Sequence, residues 1–217
     1  HEEMRAKGLR LSAEEIYSVN GSSLKDAIVL FGGGCTGEVI SPEGLLITNH
    51  HCGYSRITAH STVENNLLAN GFWADKKSGE LPNPGLTVTF LVRMEDVTDS
   101  VLNEIPDTLR EPLRNVLISQ RIEKIRKEAV SDTFHHAEIK PFFFGKEYYL
   151  FVYETYHDIR LVGAPAETIG RFGGDEDNWM WPRHTGDFSL FRIYADKNNR
   201  PAMYSPDNIP FTPRKYL

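Results

Sequence analysis

The stretch that decides the fold is FGGGCTGEVISPEGLLITNHHCGY, which runs from Phe31 to Tyr54. Thr36–Ser41 and Leu45–Thr48 are short runs rich in β-branched and apolar residues, as is typical of strands. Between them, Ser-Pro-Glu-Gly (41–44) places turn-forming residues in the order that a tight turn uses. The pattern predicts a β-hairpin with one cysteine at each end, whose second strand ends on a pair of histidines.

The composition of the whole chain is that of an ordinary globular protein. The 217 residues of the chain are enough for one compact domain or two small ones. Its 40% of hydrophobic and 11% of aromatic residues are ordinary for a globular core. A net charge of −6 argues against nucleic acid or an anionic membrane as partner. No apolar run approaches the roughly 18 residues that a spanning helix needs. The chain begins at His1 instead of Met, so we expect a piece of a longer protein whose start is missing or processed.

Further strands predict a mainly β fold. About seven to eight strands, few helices and no alternation of strand and helix favour an antiparallel barrel or sandwich. Gly71–Ala74 is expected to form a short helical turn. Outside the first hairpin and the strand that leads into it, the predicted strands are Leu86–Met94, Ile139–Phe144, Tyr148–Tyr156, Ile159–Val162 and Phe188–Ala195.

Two helices are predicted. Apolar residues recur mostly three to four positions apart from Pro106 to Val130, which indicates an amphipathic helix of about six turns inserted between strands. Asp107 or Thr108 would cap its start, and we expect it to pack without taking part in chemistry. Ala6–Ser18 is a short N-terminal helix that a Ser12–Glu15 capping box could start later.

Cys35 and Cys52 are the only cysteines, 17 positions apart. A disulfide between them would close the hairpin, indicate an oxidising compartment and be worth about 3 kcal/mol for a loop of this length. Two reduced thiols that only pack in the core are the alternative. Spacing alone does not decide between them.

A second informative stretch, Gly170 to Tyr194, contains Asp187 at the start of an apolar strand. A histidine that acts as a base needs such a carboxylate to fix its tautomer and to stabilise the imidazolium formed during attack. The His-Cys pair and the strand-initial Asp together resemble chymotrypsin-like serine peptidases. That resemblance implies His51 as general base, Asp187 as its orienting acid and a Cys35–Cys52 disulfide.

The nucleophile of such a triad is missing from the sequence. There is no Gly-x-Ser-Gly pattern, and Ser189 and Ser205 after Asp187 lie within a strand and before a proline. Either the serine lies beyond Leu217 or the triad interpretation is wrong.

The long motifs of the chain resemble those of the bacterial dipeptidyl-peptidase 7 and dipeptidyl-peptidase 11 family of serine exopeptidases. The resemblance rests on the first hairpin, on DNWMWPRHTGDFSLFRIYAD (177–196) and on the runs NGSSLKDAIV, HSTVENNLLANGFW and LVGAPAETIGRFGGDEDNW. It implies a chymotrypsin-like catalytic domain of two β-barrels capped by a helical domain. Residues 1–217 would be the first barrel, with the inserted helix near 106–130, and the second barrel and the cap would lie outside this chain.

The resemblance also implies the roles of four residues. His51 and Asp187 take the positions of base and orienting acid, and Asn178 and Trp179 match the residues that hold the free α-amino group of the substrate. An amide carbonyl can accept from an ammonium group, and an indole face attracts a cation. The substrates would be oligopeptides with a free N-terminus, and the choice between acidic and hydrophobic second residues stays open.

The same resemblance implies no cofactor and no metal, a periplasmic or secreted location, and a homodimer in the full-length enzyme. The fragment alone is expected to be inactive. A non-catalytic trypsin-like module that binds peptides or partners is the alternative function.

Other roles for the same residues are disfavoured. A cysteine hydrolase using Cys52 is a weaker alternative, because the Cys52 side chain is expected to point away from the adjacent His51. A zinc site on His50 and His51 is disfavoured because neighbouring strand residues face opposite sides. His50 as the base is disfavoured too, and Trp181 is expected in the core.

Overall fold

The computed structural model describes residues 1–18, 21–106, 108–171, 181–182 and 184–213. The strands are β1 (Ile28–Phe31), β2 (Cys35–Val39), β3 (Leu45–Thr48), β4 (Phe72–Trp73), β5 (Leu81–Pro82), β6 (Val88–Asp96), β7 (His135–Phe142), β8 (Glu147–Tyr156), β9 (Asp158–Ala164), β10 (Ser189–Ala195) and β11 (Ile209–Pro210). The α-helices are α1 (Glu2–Ala6), α2 (Ala13–Ile16), α3 (His50–His60), α4 (Leu67–Asn70), α5 (Thr98–Leu102), α6 (Glu111–Glu128) and α7 (Glu167–Gly170). Short 3₁₀ turns cover Leu24–Ala27 and Lys77–Gly79.

The chain divides into two compact units. The first consists of His1–Thr89 together with Tyr156–Leu217, and the second is Phe90–Thr155. No helix in the described ranges has both the length and the apolar character needed to cross a bilayer.

The first unit is built on a mostly antiparallel sheet. Its strand order is β4-β9-β10-β3-β2-β1, continuing to the start of β6, while β5 pairs with β9 and β11 with β10. The predicted hairpin is present, with Val39 opposite Leu46 and Glu38 opposite Ile47. The predicted mainly β class is therefore confirmed. The ends of this order do not pair with each other within the described residues, so the sheet is open and the expected closed barrel is not formed.

The core of the first unit lies on the face of the sheet that carries Phe31 of β1 and Phe191 of β10. Phe31 of β1 and Phe191 of β10 are buried and pack ring to ring, with centroids 4.8 Å apart. Ile57 of α3 is also buried, which fixes this helix to the protein interior. Gly53 lets α3 come close to β10, since a Cβ there would lie 2.7 Å from the hydroxyl oxygen of Ser189. The residues after the hairpin are thus held against the start of β10.

The second unit packs α5 and α6 on one face of the β7–β8 hairpin. Its buried cluster includes Val101, Ile118, Leu150 and Val152, because every second residue of β8 points to the same face. The predicted helix near 106–130 is shorter than expected: α6 spans 18 residues, starts after Arg110 and has a proline in its first turn. A proline inside a helix removes a hydrogen bond and clashes with the preceding turn, but it is tolerated in the first turn, so the helix begins next to Pro112.

The other differences from the sequence expectations are local. The N-terminal helix is split into α1 and α2, and the capping box that starts α2 is present, with Glu15 N–H donating to Ser12 Oγ (3.1 Å). Phe72–Trp73 forms β4 rather than a helical turn, since it pairs with Ala164 and Gly163 of β9. Thr108 precedes α6 without capping it, and Asp107 lies outside the described residues.

Candidate active site

The two histidines lie in the first turn of α3 and not at the end of a strand. β3 ends at Thr48, Asn49 is the N-cap residue with extended backbone (φ −66°, ψ 151°), and the helix begins at His50. Neighbouring helix positions are about 100° apart around the axis. His50 is consequently buried, and His51 is exposed.

His51 and Asp187 are in direct contact, although 136 positions separate them. His51 Nδ1 lies 2.8 Å from Asp187 Oδ2, and the backbone N–H of His51 donates to Asp187 Oδ1 over 3.1 Å. An ionised carboxylate only accepts hydrogen bonds, so Nδ1 carries the proton and Nε2 has a free lone pair. This is the tautomer that a general base requires. Asp187 holds this position because it precedes β10, which pairs with β3 directly before Asn49.

Asn49 also contacts Asp187, which the sequence did not suggest. Its side-chain amide donates to Asp187 Oδ2 (3.1 Å) and to the main-chain oxygen of Asp187 (3.3 Å). Among the described residues, the carboxylate therefore receives three donors, all from Asn49 and His51.

These donors determine the charge of Asp187. Partial burial raises its pKa, but the backbone N–H of His51, the His51 ring and the Asn49 amide outweigh this and leave the pKa below the ordinary value. Asp187 is therefore ionised at neutral pH. Its side chain is 31% exposed, whereas that of His51 is 70% exposed. No described residue hydrogen-bonds to His51 Nε2, so this nitrogen is open to a reacting group.

The predicted bond between Cys35 and Cys52 is present, with a Cα–Cα distance of 6.1 Å. It links the start of β2 to the first turn of α3, directly after His51. Both cysteines of the sequence are used, so the cysteine hydrolase alternative has no free thiol.

The expected direction of the Cys52 side chain was wrong. The two sulfur atoms and a His51 ring nitrogen lie within 4.8 Å of one another. Because the sulfurs are bonded to each other, they offer no thiolates, and this cluster is not a metal site.

His50 has a packing position. Its Nε2–H donates to the carbonyl oxygen of Pro165 (3.2 Å), and a Cβ on Gly170 would lie 2.5 Å from its ring. His50 thus faces away from Asp187 and cannot share a zinc ion with His51. The reason is their separation around a helix, not the strand alternation that the sequence suggested.

The expected amino-group site is not visible. Asn178 and Trp179 lie outside the described residues. Trp181, expected in the core, is 85% exposed, and that prediction was wrong.

Comparison with known protein families places the chain. The family model described as Peptidase S46 matches residues 1–217. The chain belongs to the peptidase S46 family. The resemblance inferred from the motifs is therefore confirmed, since the relatives of this S46 chain include dipeptidyl-peptidase 7 and the solved structures that match it include DPP11. It is 55% identical to an Asp/Glu-specific dipeptidyl-peptidase of Capnocytophaga gingivalis and 54% identical to dipeptidyl-peptidase 7 of the same organism.

The S46 chain corresponds to only part of these proteins. Each alignment covers 99% of this chain and 30% of the relative. The crystal structure of Porphyromonas endodontalis DPP11 with the dipeptide Arg-Glu matches with a TM-score of 0.84 and 46% identity, over all of this chain and 32% of that one. The two sequence identities are nearly equal, so they do not separate one specificity from the other.

Proposed function

We propose that this S46 chain carries the general base and the orienting acid of a serine dipeptidyl-peptidase, which releases dipeptides from oligopeptides with a free N-terminus. The observation that supports this best is the 2.8 Å contact between His51 Nδ1 and Asp187 Oδ2, with the second carboxylate oxygen bonded to the His51 backbone. Two contacts with one carboxylate orient the ring, so that Nε2 points away from the acid.

In the proposed reaction, the nucleophile is a serine from another part of the full-length enzyme. His51 Nε2 takes the proton of the serine hydroxyl as the serine oxygen attacks the carbonyl carbon of the second substrate residue. Asp187 stabilises the imidazolium that forms. His51 then gives the proton to the leaving amine, which breaks the peptide bond and leaves an acyl-enzyme. Water activated by His51 releases the dipeptide and restores the serine.

The free amino group of the substrate would be held by Asn178 and Trp179. An exopeptidase that cuts after the second residue must fix the ammonium at a set distance from the nucleophile. An amide oxygen and an indole face both bind a cation without bringing a competing positive charge.

The disulfide supports a location outside the reducing cytosol. Bonds of this kind persist in the periplasm and in secreted proteins, and glutathione and thioredoxin reduce most of them in the cytosol. We therefore place the full-length enzyme in the periplasm or outside the cell.

The proposal is tested with the full-length enzyme on dipeptidyl fluorophores with acidic and hydrophobic second residues. His51→Ala and Asp187→Asn should each lower kcat/KM on the preferred substrate by about 10³-fold to 10⁴-fold, as expected when a base or its orienting acid is removed. His157→Ala, at an exposed turn between β8 and β9, is the matched control and should keep parental activity.

Two results would contradict this proposal. Variants that cleave as well as the parent would rule out His51 and Asp187 as the base and its partner. A parent enzyme that binds peptides but releases no dipeptide from any substrate would favour the non-catalytic module instead.

A further inference from the structure

We propose that Asn49 is a positioning residue for this reaction, which locks the Asp187 carboxylate in the orientation that His51 needs. The inference rests on the proposed function, because it concerns the same base and acid. It adds a residue that acts through Asp187 and has no assigned contact with His51 Nε2 or with the serine oxygen.

The first support is that Asn49 bonds to two different parts of Asp187. One contact is to the side-chain oxygen Oδ2 (3.1 Å) and the other to the main-chain oxygen (3.3 Å). A group that binds both the carboxylate and the backbone of one residue restricts rotation about the bonds between them. Oδ2 is the same atom that accepts from His51 Nδ1, so this restriction acts on the catalytic contact itself.

The second support is a tether in the opposite direction. The hydroxyl group of Ser189, which is completely buried, donates to the main-chain oxygen of Asn49 over 3.0 Å. Asn49 is thus bonded to residues on both sides of Phe188, at the point where β10 begins. Together the contacts form a clamp between the start of α3 and the start of β10.

Helix capping does not explain the position of Asn49. An asparagine at an N-cap normally uses its side-chain oxygen to accept from a backbone N–H in the first turn. Asn66 does so at the start of α4, where Oδ1 accepts from Ala69 N–H (3.1 Å). Asn49 makes no such cap bond, and its amide is directed to Asp187 instead.

The charged surroundings make a pH measurement informative. Of the titratable side chains in the described residues, Asp187 faces the His51 ring; Cys35 and Cys52 are bonded to each other, and His50 faces Pro165. A new carboxylate at position 49 would lie beside Asp187 Oδ2 and add a negative charge next to the His51–Asp187 pair. That charge would favour the imidazolium form of the ring.

The test uses the full-length enzyme with Asn49→Ala and Asn49→Asp. Asn49→Ala should lower kcat about tenfold, the effect of one lost hydrogen bond to a charged group, while KM changes less than threefold. Asn49→Asp should move the acid limb of the kcat/KM profile to higher pH by about half a unit to one unit. Asn66→Ala, which loses a genuine cap, should show neither effect.

The outcomes separate this inference from the proposed function. If both Asn49 variants keep parental kcat and an unshifted acid limb, Asn49 has no positioning role, although His51 and Asp187 can still be catalytic. If Asn49→Ala does not fold, Asn49→Asp decides alone by its kcat: a carboxylate cannot donate to Asp187 Oδ2, so kcat should fall, and a parental kcat overturns the proposal. If His51→Ala retains activity, the proposed function itself fails.

Discussion

At the scale of the residue, the unusual feature is a carboxylate that is two-thirds covered and accepts three hydrogen bonds from the described part of the chain. Asp187 accepts from the backbone and ring of His51 and from the amide of Asn49. Each donor favours the ionised form, and together they outweigh the desolvation that opposes it. The negative charge is thus fixed in the folded protein before any substrate arrives.

The lowered pKa of Asp187 has a consequence for stability in acid. A carboxyl group whose pKa is lower in the folded than in the unfolded chain stabilises the fold when the pH is above its ordinary pKa of 3.8. This contribution is lost as the pH falls through the lowered pKa. Asp187→Asn should therefore lower the Tm of the full-length protein at pH 7, and its difference from the parent should shrink below about pH 4.

Thermal unfolding followed by circular dichroism from pH 7 to pH 2 measures this difference. Asp207→Asn, at an exposed aspartate, is the control and should leave Tm unchanged. A Tm difference for Asp187→Asn that stays constant over the whole range would contradict the assigned cause.

At the scale of the element, α3 is positioned by close contacts at small residues. Gly53 brings it against β10, and Gly170 at the end of α7 leaves room for the buried ring of His50. The hydrogen bond from His50 to the main-chain oxygen of Pro165 joins α3 to the connection between β9 and α7. The buried ring of His50 therefore helps to hold α3, the helix that also carries His51.

Gly170→Ala tests this packing. The added Cβ would lie 2.5 Å from Cγ and 2.6 Å from Cδ2 of His50, so the ring or α7 must move. We expect a loss of about 1–3 kcal/mol in the free energy of unfolding, measured by denaturant titration of the full-length protein. Gly79→Ala, where the added Cβ would meet the Cβ of Ala74 at an ordinary 3.9 Å, should be nearly neutral.

A double variant identifies the cause. When His50→Ala is combined with Gly170→Ala, the double variant should lose less free energy of unfolding than the sum of the losses of the two single variants. The clash needs both side chains, so it is absent once the His50 ring is removed. Strict additivity would show that the ring of His50 is not what Gly170 accommodates.

The sequence predicted strands better than it predicted the helix that carries the site. The first hairpin and β10 were found because alternating apolar residues and turn residues signal them directly. α3 was missed because Ile57 is its one large apolar side chain that is buried, and Gly53 has a low helix propensity. Its stability comes from the sheet, from His50 and from the disulfide, none of which leaves a periodic pattern.

The site itself was predictable in part. The His-Cys pair and the strand-initial Asp indicated His51 and Asp187 as a pair, and the structure brings them together. Asn49 left no signal, because a polar residue before a helix is normally interpreted as a cap. Its contact depends on a pairing between segments 138 positions apart, which local sequence does not encode.

At the scale of the whole molecule, the chain spans about 30% of the length of the curated relatives that it matches. Under the proposed function it supplies the base and its orienting acid, and its sequence contains no serine in the setting that a nucleophile requires. Under the proposed mechanism, residues 1–217 alone should release no dipeptide.

The assay compares the purified chain with the full-length enzyme at equal molar concentration on the same fluorogenic dipeptides. The full-length His51→Ala variant sets the background, since it lacks the base but keeps every other part. Dipeptide release by the 217-residue chain above that background would show that a nucleophile is present within it.

The helical setting of the two histidines constrains the length of the chain between β3 and α3. Deleting Asn49 would shift each following residue back by one place, so that His51 would enter the buried position beside Pro165. Inserting a residue after Thr48 would bring His50 to face Asp187, but it would bury the amide of Asn49 and move Cys52 out of reach of Cys35. The proposed base, the clamp and the cross-link therefore all depend on the same number of residues between β3 and α3, so that one insertion or deletion there would disrupt all three.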